Sequence, residues 1–220
     1  GQESYPATLD YPRAVLTDGD NQGWTFCQGW GDPHWTDLYS AKFDTHHVEG
    51  FFSDVACLAD NGQAAFTIQT WHMTGCCWNG NTVIRALNVR LGNSMFQWSG
   101  AQALANGLDG PWVYKELVTG VAPTSIPWTR FYPSVGSPVV LGSGLTISLT
   151  SGDTNPSFSV FGAPFGKLDF IDYGNYATLN MYINLGVCPE DGIPSAVCNG
   201  GTEPVPSWIF AGGDPPVAPV

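Results

Sequence analysis

Residues able to do chemistry are few and gather in the first third of the chain. His34, His46, His47 and His72 lie among Asp32, Asp37, Asp44 and Glu49. Imidazoles with carboxylates are a donor set for zinc or copper. The spacing matches no zinc motif, and neighbouring side chains at His46 and His47 would point to opposite faces of a strand. Surface or hydrogen-bonded histidines are the plainer reading. Two carboxylates in a cleft could hydrolyse a glycosidic bond. Among the scarce glutamates, Glu49 and Glu116 fall in or near strands and form the candidate pair. No Gly-x-Ser-x-Gly elbow occurs. The nine Trp and eight Tyr could stack on neutral sugars, with Trp78 beside Asn79-Gly80 as the exposed candidate, or serve as core and interface mass.

The elements that would hold these residues are strands. Leu179, Met181, Ile183 and Leu185 share one face against Asn180, Tyr182 and Asn184, and Leu145, Ile147 and Leu149 alternate with Thr146, Ser148 and Thr150. A period of two is the half-buried strand signal. Further strands are expected at Phe66–Gln69, Thr82–Leu91, Ser94–Ser99, Trp112–Val118, Ser137–Leu141, Ser157–Phe161 and Leu168–Tyr173. Turn dipeptides such as Asn61-Gly62, Asn106-Gly107, Asp109-Gly110 and Asp191-Gly192 separate them. With 27 Gly and 17 Pro there is little room for helix; Ala101–Leu108 is the one short candidate. The expectation is an all-β, antiparallel sandwich. Residues 1–25 read as an N-terminal arm, 26–198 as the β domain, and 199–220 as a Pro/Gly-rich tail. The apolar cluster Trp208-Ile209-Phe210 could dock that tail on its own domain or on a neighbouring copy.

Composition bounds the partners. Of 220 residues, 43% are hydrophobic and 12% charged, which argues against disorder. A net charge of −12 leaves too few cations for a nucleic-acid backbone or an anionic membrane. No apolar run approaches the roughly 18 residues that span a bilayer. The even set Cys27, Cys57, Cys76, Cys77, Cys188 and Cys198 suggests disulfides and a secreted, extracellular protein. Adjacent Cys76 and Cys77 would bond elsewhere, and the start at Gly1-Gln2 is read as a processed form. No N-glycosylation sequon is present; a glycoprotein would carry its sugars on modified prolines of the tail.

One stretch is motif-like: Cys27-Gln28-Gly29-Trp30-Gly31-Asp32-Pro33-His34-Trp35. Cys-x-x-x-Gly-Asp-Pro-His-aromatic resembles the opening of a von Willebrand factor type D domain. Ala64–Thr70, Asn81–Gly92 and Leu179–Leu185 resemble its later strand blocks, so the likeness covers roughly residues 25 to 190. The resemblance implies an extracellular β-rich module of assembly or adhesion, generally not an enzyme. Some members cleave themselves at the Asp-Pro bond, here Asp32-Pro33; the plainer reading is that Asp32 and His34 hold the turn. The family also binds calcium through an Asp after the motif and residues of a late Cys-rich loop, which would place Asp44 and Asp191 on the ion. The loop Gly186–Gly192 departs from the family's Gly-Leu-Cys-Gly-Asn run. The family's pairing of the pre-motif cysteine with that loop implies Cys27–Cys188.

Natural β proteins guard sheet edges with Lys and charge, and this chain has three Lys. Loops or sister molecules must cover its edges. The first expectation is therefore a secreted, non-enzymatic structural subunit that polymerises with copies of itself into a fibre or matrix through sheet edges and terminal segments. A glycan-binding module is the alternative, and a glycoside hydrolase the third.

Overall fold

The computed structural model describes residues 24–45, 47–58, 64–74, 80–101, 111–132, 134–188 and 196–204. Within them fourteen strands follow in chain order: β1 (Thr25–Trp30), β2 (His34–Thr36), β3 (Lys42–Asp44), β4 (Gly50–Leu58), β5 (Ala64–Met73), β6 (Val83–Leu91), β7 (Ser94–Ser99), β8 (Trp112–Glu116), β9 (Thr129–Arg130), β10 (Val139–Val140), β11 (Thr146–Ser151), β12 (Ser157–Gly162), β13 (Gly166–Asp172) and β14 (Ala177–Ile183). They form an eight-stranded sheet, β10-β11-β12-β13-β14-β1-β2-β3, and a six-stranded sheet, β4 to β9 in order. All strand pairs are antiparallel.

The sheets pack face to face as the expected sandwich. Val160, Leu168, Leu179 and Met181 meet Phe66, Val89, Phe96 and Trp98 in one core. Ring contacts cross the interface: Trp112 lies 4.0 Å from Phe158, and Trp98 and Phe96 lie 5.9 and 6.4 Å from Phe170. Burying each such side chain stabilises the fold by about 1.5–3 kcal/mol. β12 and β14 alternate strictly between buried and half-buried positions, and β13 does so as far as Ile171, which is why their pattern was visible in sequence. β4 was not expected. It buries Phe52, Ser53, Asp54, Val55, Ala56 and Cys57 alike and shifts register between Ser53 and Val55, so it carries no clean alternation. β1 to β3 were also unforeseen as strands, and Ser137–Leu141 contracts to the two residues of β10. The helix candidate beyond Ala101 lies outside the described residues.

The disulfides correct the pairing implied by the resemblance. Cys27 bonds Cys198, with Cα atoms 5.7 Å apart, and Cys57 bonds Cys188 at 4.8 Å. Cys27 points into the core from the middle of β1, opposite Met181, where the short 3₁₀ turn Val197–Asn199 reaches it. Cys188, five residues past β14, instead falls over the end of β4 and ties the two sheets together. Cys76 and Cys77 lie outside the described residues. The start of the tail is packed: Leu38 N–H donates to Cys198 O at 2.8 Å, and a Cβ at Gly50 would meet Pro204 Cβ at 2.8 Å. Trp208, Ile209 and Phe210 lie outside the described residues, as does the arm up to residue 23.

Candidate functional site

The Gly31-Asp32-Pro33 segment is the turn of the β1–β2 hairpin, with Trp30 paired to His34 across it. Gly31 has φ +63°, the left-handed conformation a three-residue hairpin loop needs and glycine adopts without penalty. Its neighbour Gly29 serves a different purpose: a Cβ there would sit 2.6 Å from the ring of Trp35. The motif is thus read first as a folding instruction that aims Asp32 and His34.

His34 stands opposite Asp44 in the β2–β3 register. Its Nδ1 lies 2.5 Å from Asp44 Oδ1, while its Nε2 lies 2.9 Å from Asp32 Oδ1, close enough for charge pairing but off the line of a hydrogen bond. Asn81, just before β6, donates its Nδ2–H to Asp32 Oδ2. Thr45 N–H donates to Pro33 O at 3.1 Å, and Thr82 Oγ1–H to Thr45 O at 3.2 Å. The hairpin turn of one sheet is therefore clamped to the start of β6 in the other.

Behind the turn runs a buried polar chain that the sequence did not reveal. Trp35 Nε1–H donates to Thr45 Oγ1 at 2.9 Å, and Thr45 Oγ1 lies 3.5 Å from His72 Nδ1. His72 Nε2 is 3.0 Å from Thr70 Oγ1, which donates to Asp54 Oδ1 at 2.9 Å. A neutral His72 carrying its proton on Nε2 satisfies every donor in one direction, from the indole to the carboxyl group. Burial enforces that neutrality, lowering the His72 pKa to about 3. Burial also pushes the Asp54 carboxyl well above its ordinary range, against the opposing hydrogen bond from Thr70. The imidazole is sandwiched between Phe52, 4.1 Å away, and Trp35, 6.0 Å away. Asp54, Thr70 and His72 are all fully buried, so this chain meets no substrate; it joins the sheets. The one trace it left in the sequence is a lone Asp inside the apolar stretch Phe51–Leu58.

The remaining candidates disperse. His47 is exposed, His72 lies in the core and His46 is outside the described residues, so no four-histidine cluster forms among the described residues. Asp37 turns the chain between β2 and β3, its Oδ1 accepting from Tyr39 and Ala41 N–H; burial raises its pKa and those two bonds pull it back. Glu49 accepts from Thr74 N–H at 2.8 Å and Thr74 Oγ1–H at 2.5 Å, which lower its pKa. Glu116 accepts from Ser94 Oγ–H at 2.7 Å and Gly142 N–H at 2.6 Å. Through the register Glu116 aligns with Cys57, at the far end of β4 from Glu49. Four strand spacings and about eight residues of rise put the two carboxyls about 30 Å apart, against the roughly 5–10 Å of a glycosidase pair. That pairing is overturned; each Glu fixes a loop.

Of the calcium pair implied by the resemblance, Asp44 alone falls among the described residues. Calcium needs about six to eight oxygens. Asp44 Oδ1 is committed to His34, no group of three or more His, Cys, Asp or Glu among the described residues is placed to hold a metal, and Asp191 lies outside them. Among the described residues no helix is long and apolar enough to cross a membrane, and two disulfides fit an extracellular protein. No family model matches the chain, and none of the curated proteins matches it significantly.

Proposed function

We propose that this protein is a secreted structural subunit that joins copies of itself into an extracellular fibre or matrix. The observation that supports this reading most is the margin where both sheets end. β9 closes the six-stranded sheet and β10 the eight-stranded one, and each has two residues. Between them the stretch from Phe131 to Leu141 contains no charged residue, and Tyr132, Val135 and Val140 are 81%, 62% and 64% exposed. Beyond the exposed Arg130 of β9, this stretch lacks the charges that normally prevent association, and exposed apolar side chains mark contact surfaces. Pro138 removes one backbone donor, so the contact would rest more on side chains than on a continued ladder. A contact with a different surface of the next copy propagates as an open filament.

The resemblance to von Willebrand type D domains supports the same reading. In it the Gly31-Asp32-Pro33-His34 turn is a structural clamp, with both Asp32 oxygens facing Asn81 and His34 rather than poised for self-cleavage. The test is native mass measurement and electron microscopy of the full chain at micromolar concentration. Oligomers or filaments are expected, and Val135→Lys with Val140→Lys should reduce them to monomers. A wild-type chain that stays strictly monomeric refutes the proposal.

A further inference from the structure

The two outward faces of the sandwich differ. On the six-stranded sheet the outward row Ser53, Gln69, Asn88 and Gln97 is at most 2% exposed. On the eight-stranded sheet every outward residue of β12, β13, β14 and β1 is half-buried and open to solvent. There, β11 to β14 floor a groove with room for about 360 Å³, lined by Ser157, Ser159, Asp169, Ile171, Thr178 and Asn180 among others. That is the lower part of the range for small-ligand sites.

Register arranges this face in rows. Ser148, Ser159, Asp169, Asn180 and Gln28 stand side by side across five strands, so hydroxyl, carboxylate and amide groups recur at about 4.8 Å. Gln28 Nε2–H donates to Asn180 Oδ1 at 2.7 Å, which orients that amide. The next row on one side is Phe161, Lys167, Tyr182 and Phe26. Its rings are braced, Phe161 against Trp24 at 5.8 Å and Phe26 against Tyr182 at 5.3 Å. The groove's one acid and one base neutralise each other, with Lys167 Nζ 3.5 Å from Asp169 Oδ2.

We infer that this groove binds a neutral oligosaccharide, its hydroxyls bonded by the Ser159–Asp169–Asn180 row that lines the groove and its rings reaching the adjoining Phe161 and Phe26, beside a Tyr182 ring that Lys167 covers at 4.9 Å. A peptide strand does not suit the site. β12, β13, β14 and β1 are interior strands whose backbone bonds are taken, and strand addition requires an edge. An anionic polymer does not suit it either, because the groove is charge-balanced in a chain of net charge −12. Polyhydroxylated rings match what remains: recognition by side-chain hydrogen bonds and aromatic faces. Ser159, Asp169 and Asn180 lie on β12 to β14, two or more strands in from β10, so the inference does not depend on polymerisation.

The test is calorimetric titration of the full chain with cellohexaose, laminarihexaose, mannohexaose and xylohexaose, with a heparin hexasaccharide as the charged comparison. At least one neutral hexasaccharide should bind. Asp169→Ala and Asn180→Ala should each weaken it about tenfold or more without moving the thermal midpoint. Ser159→Trp, which fills the groove without removing its carboxylate or amide, should abolish binding, and Val140→Lys should leave it intact. No binding by any neutral hexasaccharide at millimolar concentration, equal binding of the heparin fragment, or affinity unmoved by all three groove variants would overturn the inference.

Discussion

Thr70→Val puts the buried chain between the sheets to its sharpest test. Thr70 Oγ1 is the single atom that links Asp54 Oδ1, at 2.9 Å, to His72 Nε2, at 3.0 Å, and all three residues are fully buried. Valine fills the same volume, so little cavity cost enters. The change leaves a carboxyl oxygen and a ring N–H without partners where water cannot replace them. Each orphaned group costs about 1–3 kcal/mol, so the loss for the two should be roughly 2–6 kcal/mol. Urea unfolding with the disulfides intact reads this as a fall in midpoint of about 1–2 M, taking a slope of about 2–3 kcal/mol/M. Asp54→Leu added to Thr70→Val removes the stranded carboxyl and should restore part of the loss. A single variant within ~0.2 M of the wild-type midpoint would show that the hydroxyl carries no bridge, and the reasoning would fall.

Acid response follows from the same pair. His72 is neutral in the fold with its pKa lowered to about 3 from 6.5, so its contribution is complete above pH 6.5. It fades as the pH falls toward 3, by up to about 1.4 kcal/mol per unit. Asp54, raised from 3.8, works in the opposite sense: the fold takes up its proton before the unfolded chain does, which offsets part of that fade. Asp54→Asn should therefore steepen the acid limb of a stability–pH curve, and a shallower limb would contradict the assignment. Cys27→Ser with Cys198→Ser opens a link of sequence separation 171 and should cost about 4–5 kcal/mol on chain entropy, measured by thermal unfolding; an unchanged midpoint would rule out a constraining bond. Gly29→Ala drives a methyl into the fully buried Trp35 ring and should cost about 1–3 kcal/mol, whereas an unshifted melt would mean the hairpin gives way freely.

Strands that face solvent on one side were legible because burial on alternate residues writes itself into the sequence. Leu179, Met181 and Ile183 are such a case, and β14 lies where they place it. β4 was illegible because both its faces are covered and a bulge breaks its register. Around the candidate site, the Gly-Asp-Pro-His run could be marked as a special turn from residue types alone. Its partners could not: Asn81 lies 49 positions from Asp32, and nothing local in either segment refers to the other. Glu49 and Glu116 illustrate the converse, residues of suggestive type that topology places at opposite ends of a sheet.

Sequence by itself determined the class of structure and set an expectation about partners. Period-two hydrophobicity, abundant Gly and Pro, six cysteines and an excess of acid are all local or summed properties, and local physics suffices to read them. Tertiary structure alone decided which cysteines meet, that His72 is a buried neutral link rather than a ligand, and that Ser159, Asp169 and Asn180 stand in one row. Those facts depend on register and sheet order, which are set by the simultaneous packing of residues more than a hundred positions apart.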